Sequence, residues 1–341
     1  LGGRISEHYE QKVCSLQRPR SSNRPSANEV EPIKTYRGHT APVTTVAISS
    51  AHSAIFSASL DSTIRVWKLP KPSDELYASF DPSVAYQTLE GHTDAVWDLV
   101  LLPGAADANG KTNEDRRLVS CAADGHVKVW SLEGKRWSLT ESWALGEGDD
   151  VPTCLGVYNH DFGQVLVGFT SGLVQVVNVE TGAVAMQLGE AKNGESCPSG
   201  FRTSCRLLGA QVNAVLSHPT LPAVIVAHED GYLRVYESKS SESCSLLALN
   251  AATATPTHSI LAHPKAITSL SLSPLSPMAV LTASVDCTVR LWDLNKQTSL
   301  QEFGGHRKKS DEGVCCVASH PELPVVASAG ADGVIRIWAA T

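Results

Sequence analysis

The sequence predicts an all-β fold, a ring of four-stranded blades, and three observations predict it. One pattern recurs four times: a His, a gap, a Ser or Thr, an Asp four residues later and a Trp six after that. From Pro32 onward, short runs of Val, Ile, Leu and Thr alternate with Gly, Asp, Ser and Pro, the signature of strands and tight turns. Helix-period stretches are not evident. Self-similarity of this kind marks a repeat architecture, and four antiparallel strands per repeat, stacked radially, make a β-propeller.

The elements follow in chain order. Residues 1–31 are polar and irregular, with RPRSSNRPSANE, and read as a linker or long loop preceding a propeller over 32–341. In the first copy, strands are expected at PVTTVAIS, at AIFSASL and, after the Asp61 turn, at TIRVWKL; a fourth, AYQTLEGH, leads into the next Gly-His. Strands covered on both faces need more apolar residues than strands with one wet face, so strict alternation is lost. Two eroded copies keep the register. In 151–179, Ser171 takes the Asp place and Val177 the Trp place; in 212–238, Asp230 is kept, Tyr236 replaces Trp and the leading His is missing. Six blades are thus readable, with Trp places at 67, 130, 177, 236, 292 and 338 spaced by 46 to 63 residues. The excess over a usual repeat falls in insertions near 70–84, 103–116, 189–207 and 238–257, read as surface loops. The last copy stops after its third strand, while PIKTYR (32–37) is a fourth strand without a blade before it. Pairing the two would close six blades and satisfy both edges. A chain that opens on Leu rather than Met is expected to lack upstream sequence, and a further repeat there would make seven.

Composition narrows the function. Hydrophobic residues make up 42%, enough for a large core, and the net charge of -7 with pI near 5.9 argues against nonspecific nucleic-acid binding. No apolar run approaches the roughly 18 residues of a membrane-spanning helix, so direct membrane insertion is not expected. Nine cysteines are scattered without a CxxC pair, which fits buried, reduced thiols better than zinc or disulfides. Cys121 and Cys287 occupy places in the strand–turn–strand units where small apolar residues are expected.

The strongest chemical signal is the repeated set: His39/Ser57/Asp61/Trp67, His92/Ser120/Asp124/Trp130, His263/Thr282/Asp286/Trp292 and His306/Ser328/Asp332/Trp338. A hydrolase triad uses the same residue types. Four copies of one active site in a ring would be peculiar, and no glycine-framed nucleophile elbow accompanies any Ser. The set is therefore read as blade glue. The Asp turn meets the His, the His meets the hydroxyl, and the hydroxyl meets the indole N–H, so every polar atom in an apolar wedge is paired. A basic residue two before the Trp place recurs as Arg65, Lys128, Arg234, Arg290 and Arg336. Because the third strand runs the same way in each blade, these cations are expected to be spread around the wheel as solvated or stacking side chains. Trp97 lies outside the tetrad register; core packing is expected, with a partner-binding anchor as the alternative. Arg307, Lys308 and Lys309, in HRKKSDE at the entrance to the last blade, form a solvated loop with docking as its alternative role. His218 and His320, each before a Pro, read as turn residues rather than metal ligands. No catalytic residue, cofactor site or metal site is assigned.

The repeats resemble WD40 repeats from about residue 32 to the end. Several strings are similar to the C-terminal propeller of the striatins: EPIKTYRGHT, LEGHTDAVWDL, VLSHPTLPAVIVAHEDG, ILAHPKAITSLSLSP, VDCTVRLWDL, GHRKKSDE and SHPELPVVASAGAD. GHTDAVW is common among WD40 proteins, whereas SHPTLP and AHEDG in an eroded blade together with the HRKK sequence at the last blade are more specific. The resemblance implies a non-enzymatic cytoplasmic scaffold, membrane-peripheral through partners, in complexes of type 2A protein phosphatase and kinases. It implies contacts to a phocein-like adaptor and striatin-interacting proteins, and one more upstream repeat. The coiled coil and the caveolin-, calmodulin- and phosphatase-binding segments of that family have no counterpart here. Residues 1–30, 103–116 and 238–257 match nothing in it. The alternative function is a substrate-recognition propeller, such as a ubiquitin-ligase receptor, which requires arginines converging at the channel mouth.

Overall fold

A computed structural model describes residues 4–5, 36–49, 53–69, 85–102, 117–134, 136–146, 150–158, 163–189, 210–237, 253–254, 256–273, 276, 278–320 and 323–339. All the secondary structure among them is β, arranged as a propeller of six blades, one sheet to each blade. A short strand β1 (Arg4–Ile5) precedes blade one, which comprises β2 (Val43–Ser49), β3 (Ala54–Ser59), β4 (Ile64–Lys68) and β5 (Ala85–Leu89). Blade two holds β6 (Val96–Leu102), β7 (Arg117–Ala122), β8 (His126–Glu133) and β9 (Arg136–Ala144). Blade three holds β10 (Pro152–Val157), β11 (Gln164–Phe169), β12 (Val174–Asn178) and β13 (Val184–Leu188). Blade four holds β14 (Val212–Ser217), β15 (Ala223–His228) and β16 (Tyr232–Glu237). The two-residue β17 (Thr253–Ala254) pairs back onto β13, and β18 (His258–Leu261) completes blade four. Blade five holds β19 (Ile267–Leu272), β20 (Ala279–Ser284), β21 (Thr288–Asp293) and β22 (Thr298–Gly304). Blade six has three strands, β23 (Val314–Ser319), β24 (Val325–Gly330) and β25 (Ile335–Ala339).

The two eroded copies therefore build full blades. What they retain is a run of apolar residues buried on both faces: Val165, Leu166, Val167 and Phe169 in blade three and Val224 through Ala227 in blade four are fully buried. Inner strands touch in the order β2, β6, β10, β14, β19, β23, and apolar wedges fill the space between consecutive blades. Between blades one and two, Phe56, Ile64 and Val66 pack against Val96, Leu99, Leu118 and Trp137.

The turn after each second strand has one geometry. The residue following the Asp place has positive φ in all six blades: Ser62 (65°), Gly125 (77°), Gly172 (89°), Gly231 (82°), Cys287 (72°) and Gly333 (77°). Glycine adopts this conformation without steric cost, which explains its use in four blades. Cys287 thus holds a left-handed turn position and is only partly buried, because the turn rather than the core sets its place. Cys121, by contrast, is fully buried in β7.

Blade six differs from the others. Ile335 and Ile337, the counterparts of the fully buried Ile64 and Val66, are each 67% exposed. Among the described residues no strand pairs with the free edge of β25. Residues 32–35 of the expected closing strand lie outside the described residues. Tyr36 of that segment packs on Trp67 of blade one, ring centroids 5.5 Å apart, as Phe303 packs on Trp338 of blade six. The sector between β23 and β2 is entered by β1, which pairs in parallel with β2 at Thr45 and Val46 and touches β23. The rest of the expected linker lies outside the described residues, as do most of the expected loop insertions.

Candidate functional site: the loop-bearing face and channel mouth

The four tetrads come together side chain by side chain. His39 Nδ1 lies 2.8 Å from Asp61 Oδ2, His39 Nε2 lies 2.8 Å from Ser57 Oγ, and Trp67 Nε1 donates to the same Oγ at 2.8 Å. In blade two, His92 meets Asp124 at 2.9 Å and Ser120 at 2.8 Å, and Trp130 donates to Ser120 at 2.9 Å. In blade five, His263 meets Asp286 at 2.9 Å and Thr282 at 2.7 Å, and Trp292 Nε1 donates to Thr282 Oγ1 at 3.2 Å. In blade six, His306 meets Asp332 at 3.1 Å and Ser328 at 2.8 Å, and Trp338 donates to Ser328 at 3.0 Å. A carboxylate only accepts and an indole only donates. The imidazole therefore carries its proton on Nδ1 toward the Asp, and the hydroxyl accepts from Trp and gives its proton to Nε2. Ser120 and Thr282 are fully buried. A hydroxyl that is buried and saturated in this way offers no accessible nucleophile.

Trp292 departs from the uniform set that the sequence leads one to expect. Its bond is the longest of the four indole bonds, and Thr282 Oγ1 also lies 3.4 Å from Arg290 O across the strand pair. Thr282 is β-branched and carries a methyl group there, whereas Ser57, Ser120 and Ser328 present a bare hydroxyl. Trp292 is 6% exposed and belongs to the apolar wedge between blades four and five, with Leu233, Ile260 and Val280. Its place is thus held by packing as well as by its hydrogen bond.

The Asp does a second job. One carboxylate oxygen closes its own turn, accepting from Thr63, His126, Thr288 or Val334 N–H, and the other accepts an N–H just after the His, from Thr40, Thr93 or Arg307. Burial raises the Asp286 pKa, but hydrogen bonds from His263 and Thr288 more than offset this and hold it at about 2. For Asp332 the Arg307 N–H leads, with His306 assisting, again to about 2. Burial also pushes the His92 pKa down against the pull of Asp124, which keeps that imidazole neutral.

The eroded blades reach the same closure by other means. In blade three the acid has moved to the loop: Asp150 accepts from Ser171 N–H and Oγ–H at 2.9 and 2.6 Å and from Thr170 Oγ1. In blade four, His228 at the end of β15 donates from Nδ1 to Ala210 O at 2.8 Å, where Ser59 and Ser284 bind the equivalent loop carbonyls in blades one and five. Burial lowers the His228 pKa to about 4.

The recurring cations are less solvated than expected. Lys128, 9% exposed, donates to Gly91 O at 2.5 Å, and Arg290 donates to Ala262 O at 2.6 Å while pairing with Glu302 at 3.0 Å. Arg234 pairs with Asp230 at 2.7 Å. Arg65 lies over Trp67, and Arg336 sits against Gly305. Each is engaged within its own blade, and Lys128 and Arg290 fasten the residue before the His because that carbonyl lies within their reach. His218 and His320 accept N–H bonds in their turns, from Thr220 and Leu221 and from Leu323. HRKKSDE forms a tight bend: Lys309 and Glu312 exchange backbone bonds, and Lys308 meets Asp311 at 2.8 Å.

A ring of bulges completes the site, and the sequence does not display it. Every first strand carries a β-bulge, and the bulged residues Thr44, Trp97, Thr153, Asn213, Thr268 and Cys315 line one cavity of about 130 Å³ where the channel opens. Four of them stitch the ring: Thr44 Oγ1 donates to Val96 O (2.7 Å), Thr153 Oγ1 to Val212 O (2.6 Å), Asn213 Nδ2 to Ile267 O (2.9 Å) and Thr268 Oγ1 to Val314 O (2.6 Å). A small polar residue at the second place of the first strand is the available signal, but only pairing register reveals a bulge. Trp97 is not packed in the core as expected: it is 42% exposed at this mouth. The bulges follow directly on the His-bearing loops, so Trp97 and Arg307–Lys309 belong to the same face of the wheel. Among the described residues, no three metal-ligating side chains come together, and no helix is long and apolar enough to cross a membrane.

Comparison with known proteins agrees with this architecture. Residues 30–68, 84–131, 254–293 and 297–339 match the WD40 family (WD domain, G-beta repeat). Those segments contain the four tetrads; blade three and the first three strands of blade four fall outside them. The chain is 33% identical over 333 residues to Striatin-3 of Homo sapiens, 34% over 336 residues to Striatin of Rattus norvegicus, and 32% over 333 residues to Striatin-4 of Homo sapiens. Each alignment covers 98% of this chain but 37 to 39% of the relative, so the chain spans little more than a third of the length of these relatives.

Proposed function

The chain belongs to the WD40-repeat proteins and is a homologue of the striatins, and on that premise we propose that it is a non-catalytic scaffold. Its propeller gathers subunits of a type 2A phosphatase–kinase complex in the cytoplasm, with a phocein-like adaptor and striatin-interacting proteins as partners and membranes reached through them. The observation that carries this reading is the fate of the reactive-looking residues: every Ser or Thr of the tetrads is nearly or fully buried and bonded on both sides. What remains accessible is the loop-bearing face with Trp97, Arg307, Lys308 and Lys309, which serve as contact residues. A phosphate-reading receptor for a ubiquitin ligase is disfavoured, because the recurring cations sit in separate blades and, among the described residues, none lines the channel mouth.

Affinity purification of the tagged chain from cells tests the proposal. Phosphatase subunits, phocein or a germinal-centre kinase should co-purify; recovery of none of these would overturn it.

A further inference from the structure

Two of the six bulge residues, Trp97 and Cys315, do not carry the ring bond, and at Trp97 a neighbouring side chain takes it over. Between blades two and three the link is made one residue later: Asp98 Oδ2 accepts the Leu155 N–H at 3.0 Å, and Oδ1 accepts its neighbour Leu99 N–H at 3.0 Å. Asp98 is 5% exposed and lines the mouth beside Trp97. With the ring bond supplied by Asp98, the bulge side chain at 97 is released from structural work. A Thr or Asn would suffice there, as it does in four of the other blades; instead an indole projects into the opening, 42% exposed. Among the described residues, the cavity of about 130 Å³ is lined by Thr, Asn and Cys side chains besides Trp97 and Asp98, with no Lys or Arg. This is too small for a cofactor-sized ligand, for which pockets of about 300 Å³ or more are usual, but it accommodates a single long side chain.

An exposed indole face beside a carboxylate, in an opening whose described lining carries no cation, attracts a cationic group: the ring quadrupole and the carboxylate act in the same direction. A guanidinium also stacks flat on an indole and donates to the surrounding hydroxyl and amide oxygens, which an ammonium does less well. We propose that the channel mouth beside Trp97 binds the arginine side chain of an extended peptide segment from a protein partner, the guanidinium stacked on the indole. This rests on the scaffold reading and specifies the chemistry by which one partner is held.

An array of acetylated, amidated heptapeptides, with the central residue varied over all common amino acids in a Gly/Ser/Ala background, is probed with the full chain. Arginine should be selected over lysine and both over neutral residues. Citrulline, its neutral isostere, should lose about tenfold in affinity, and Trp97→Thr should lose at least as much with an unchanged urea midpoint. Selection blind to charge, an empty array, or equal binding by Trp97→Thr would each overturn the site. Parallel affinity purification with Trp97→Thr separates the two readings. Partners recovered without peptide selection leave the scaffold standing and remove this site. Trp97-dependent arginine selection without phosphatase-complex partners does the reverse.

Discussion

Removal of the Ser120 hydroxyl is the sharpest test of the tetrads. Ser120→Ala leaves packing almost unchanged, since one oxygen is lost at a fully buried position. Two groups lose their partner: the Trp130 N–H, which donates to Oγ at 2.9 Å, and His92 Nε2, which accepts from it at 2.8 Å. Trp130 is 2% and His92 6% exposed, so water replaces neither bond. Protonation offers no escape at neutral pH, because burial keeps the His92 pKa below its usual value. A stranded buried group costs about 1–3 kcal/mol, so two give an expected loss of about 2–6 kcal/mol in total. Urea unfolding followed by fluorescence and circular dichroism, with an unchanged m-value, reads this as a lower midpoint. Thr282→Val should act in the same direction, stranding the indole N–H of Trp292 and His263 Nε2. Ser328→Ala should cost less, since Trp338 is only partly buried and water can reach its indole. A cycle with Trp130→Phe should show coupling of at least about 0.5 kcal/mol. A loss for Ser120→Ala below about 0.5 kcal/mol would refute the reasoning.

Acid should weaken the fold through His228. Its pKa is near 4 in the folded chain against 6.5 unfolded, so its contribution is complete above pH 6.5 and is lost as pH falls toward 4, on the order of 3 kcal/mol. His228→Gln should flatten the slope of stability between pH 6.5 and 4; an unaltered slope would exclude His228 as its source. Asp286 and Asp332 act in a separate window, losing their contribution as pH falls from 3.8 toward 2. Cys287→Gly should raise stability by up to about 1 kcal/mol by relieving the left-handed turn; a fall in the urea midpoint would show that the thiol matters more than the backbone. Ile337→Lys should change stability by less than about 0.5 kcal/mol and reduce aggregation, whereas Val66→Lys, at the equivalent buried place, should cost more than about 3 kcal/mol. Equal effects would mean that β25 is covered in solution.

Much of the candidate site is legible locally. His39, Ser57, Asp61 and Trp67 announce themselves because a hydrogen-bond chain of fixed geometry demands fixed residue types, and four copies make the demand visible. The same regularity hides the looser bond at Trp292, because Ser and Thr serve equally in the pattern and only packing separates them. Trp97 reads as a core residue because an aromatic in an apolar strand usually packs inward; only the bulge, which adds one residue to the strand, turns it into the channel. The recurring cations read as solvated or stacking side chains, as Arg65 over Trp67 is; the carbonyl bonds of Lys128 and Arg290 escape the sequence because it does not show a loop carbonyl within their reach.

Sequence by itself determined the strand period, the turn positions and six readable copies of the blade, since these depend on neighbours a few residues apart. Tertiary structure alone decided how the eroded blades close, through Asp150 and His228, and how the blades are stitched, through Thr44, Thr153, Asn213 and Thr268. It alone decided that Ile335 and Ile337 stand exposed. The physical reason is one of reach: a side chain's covalent neighbours set its conformation, but its partners are set by whichever strand the ring brings beside it.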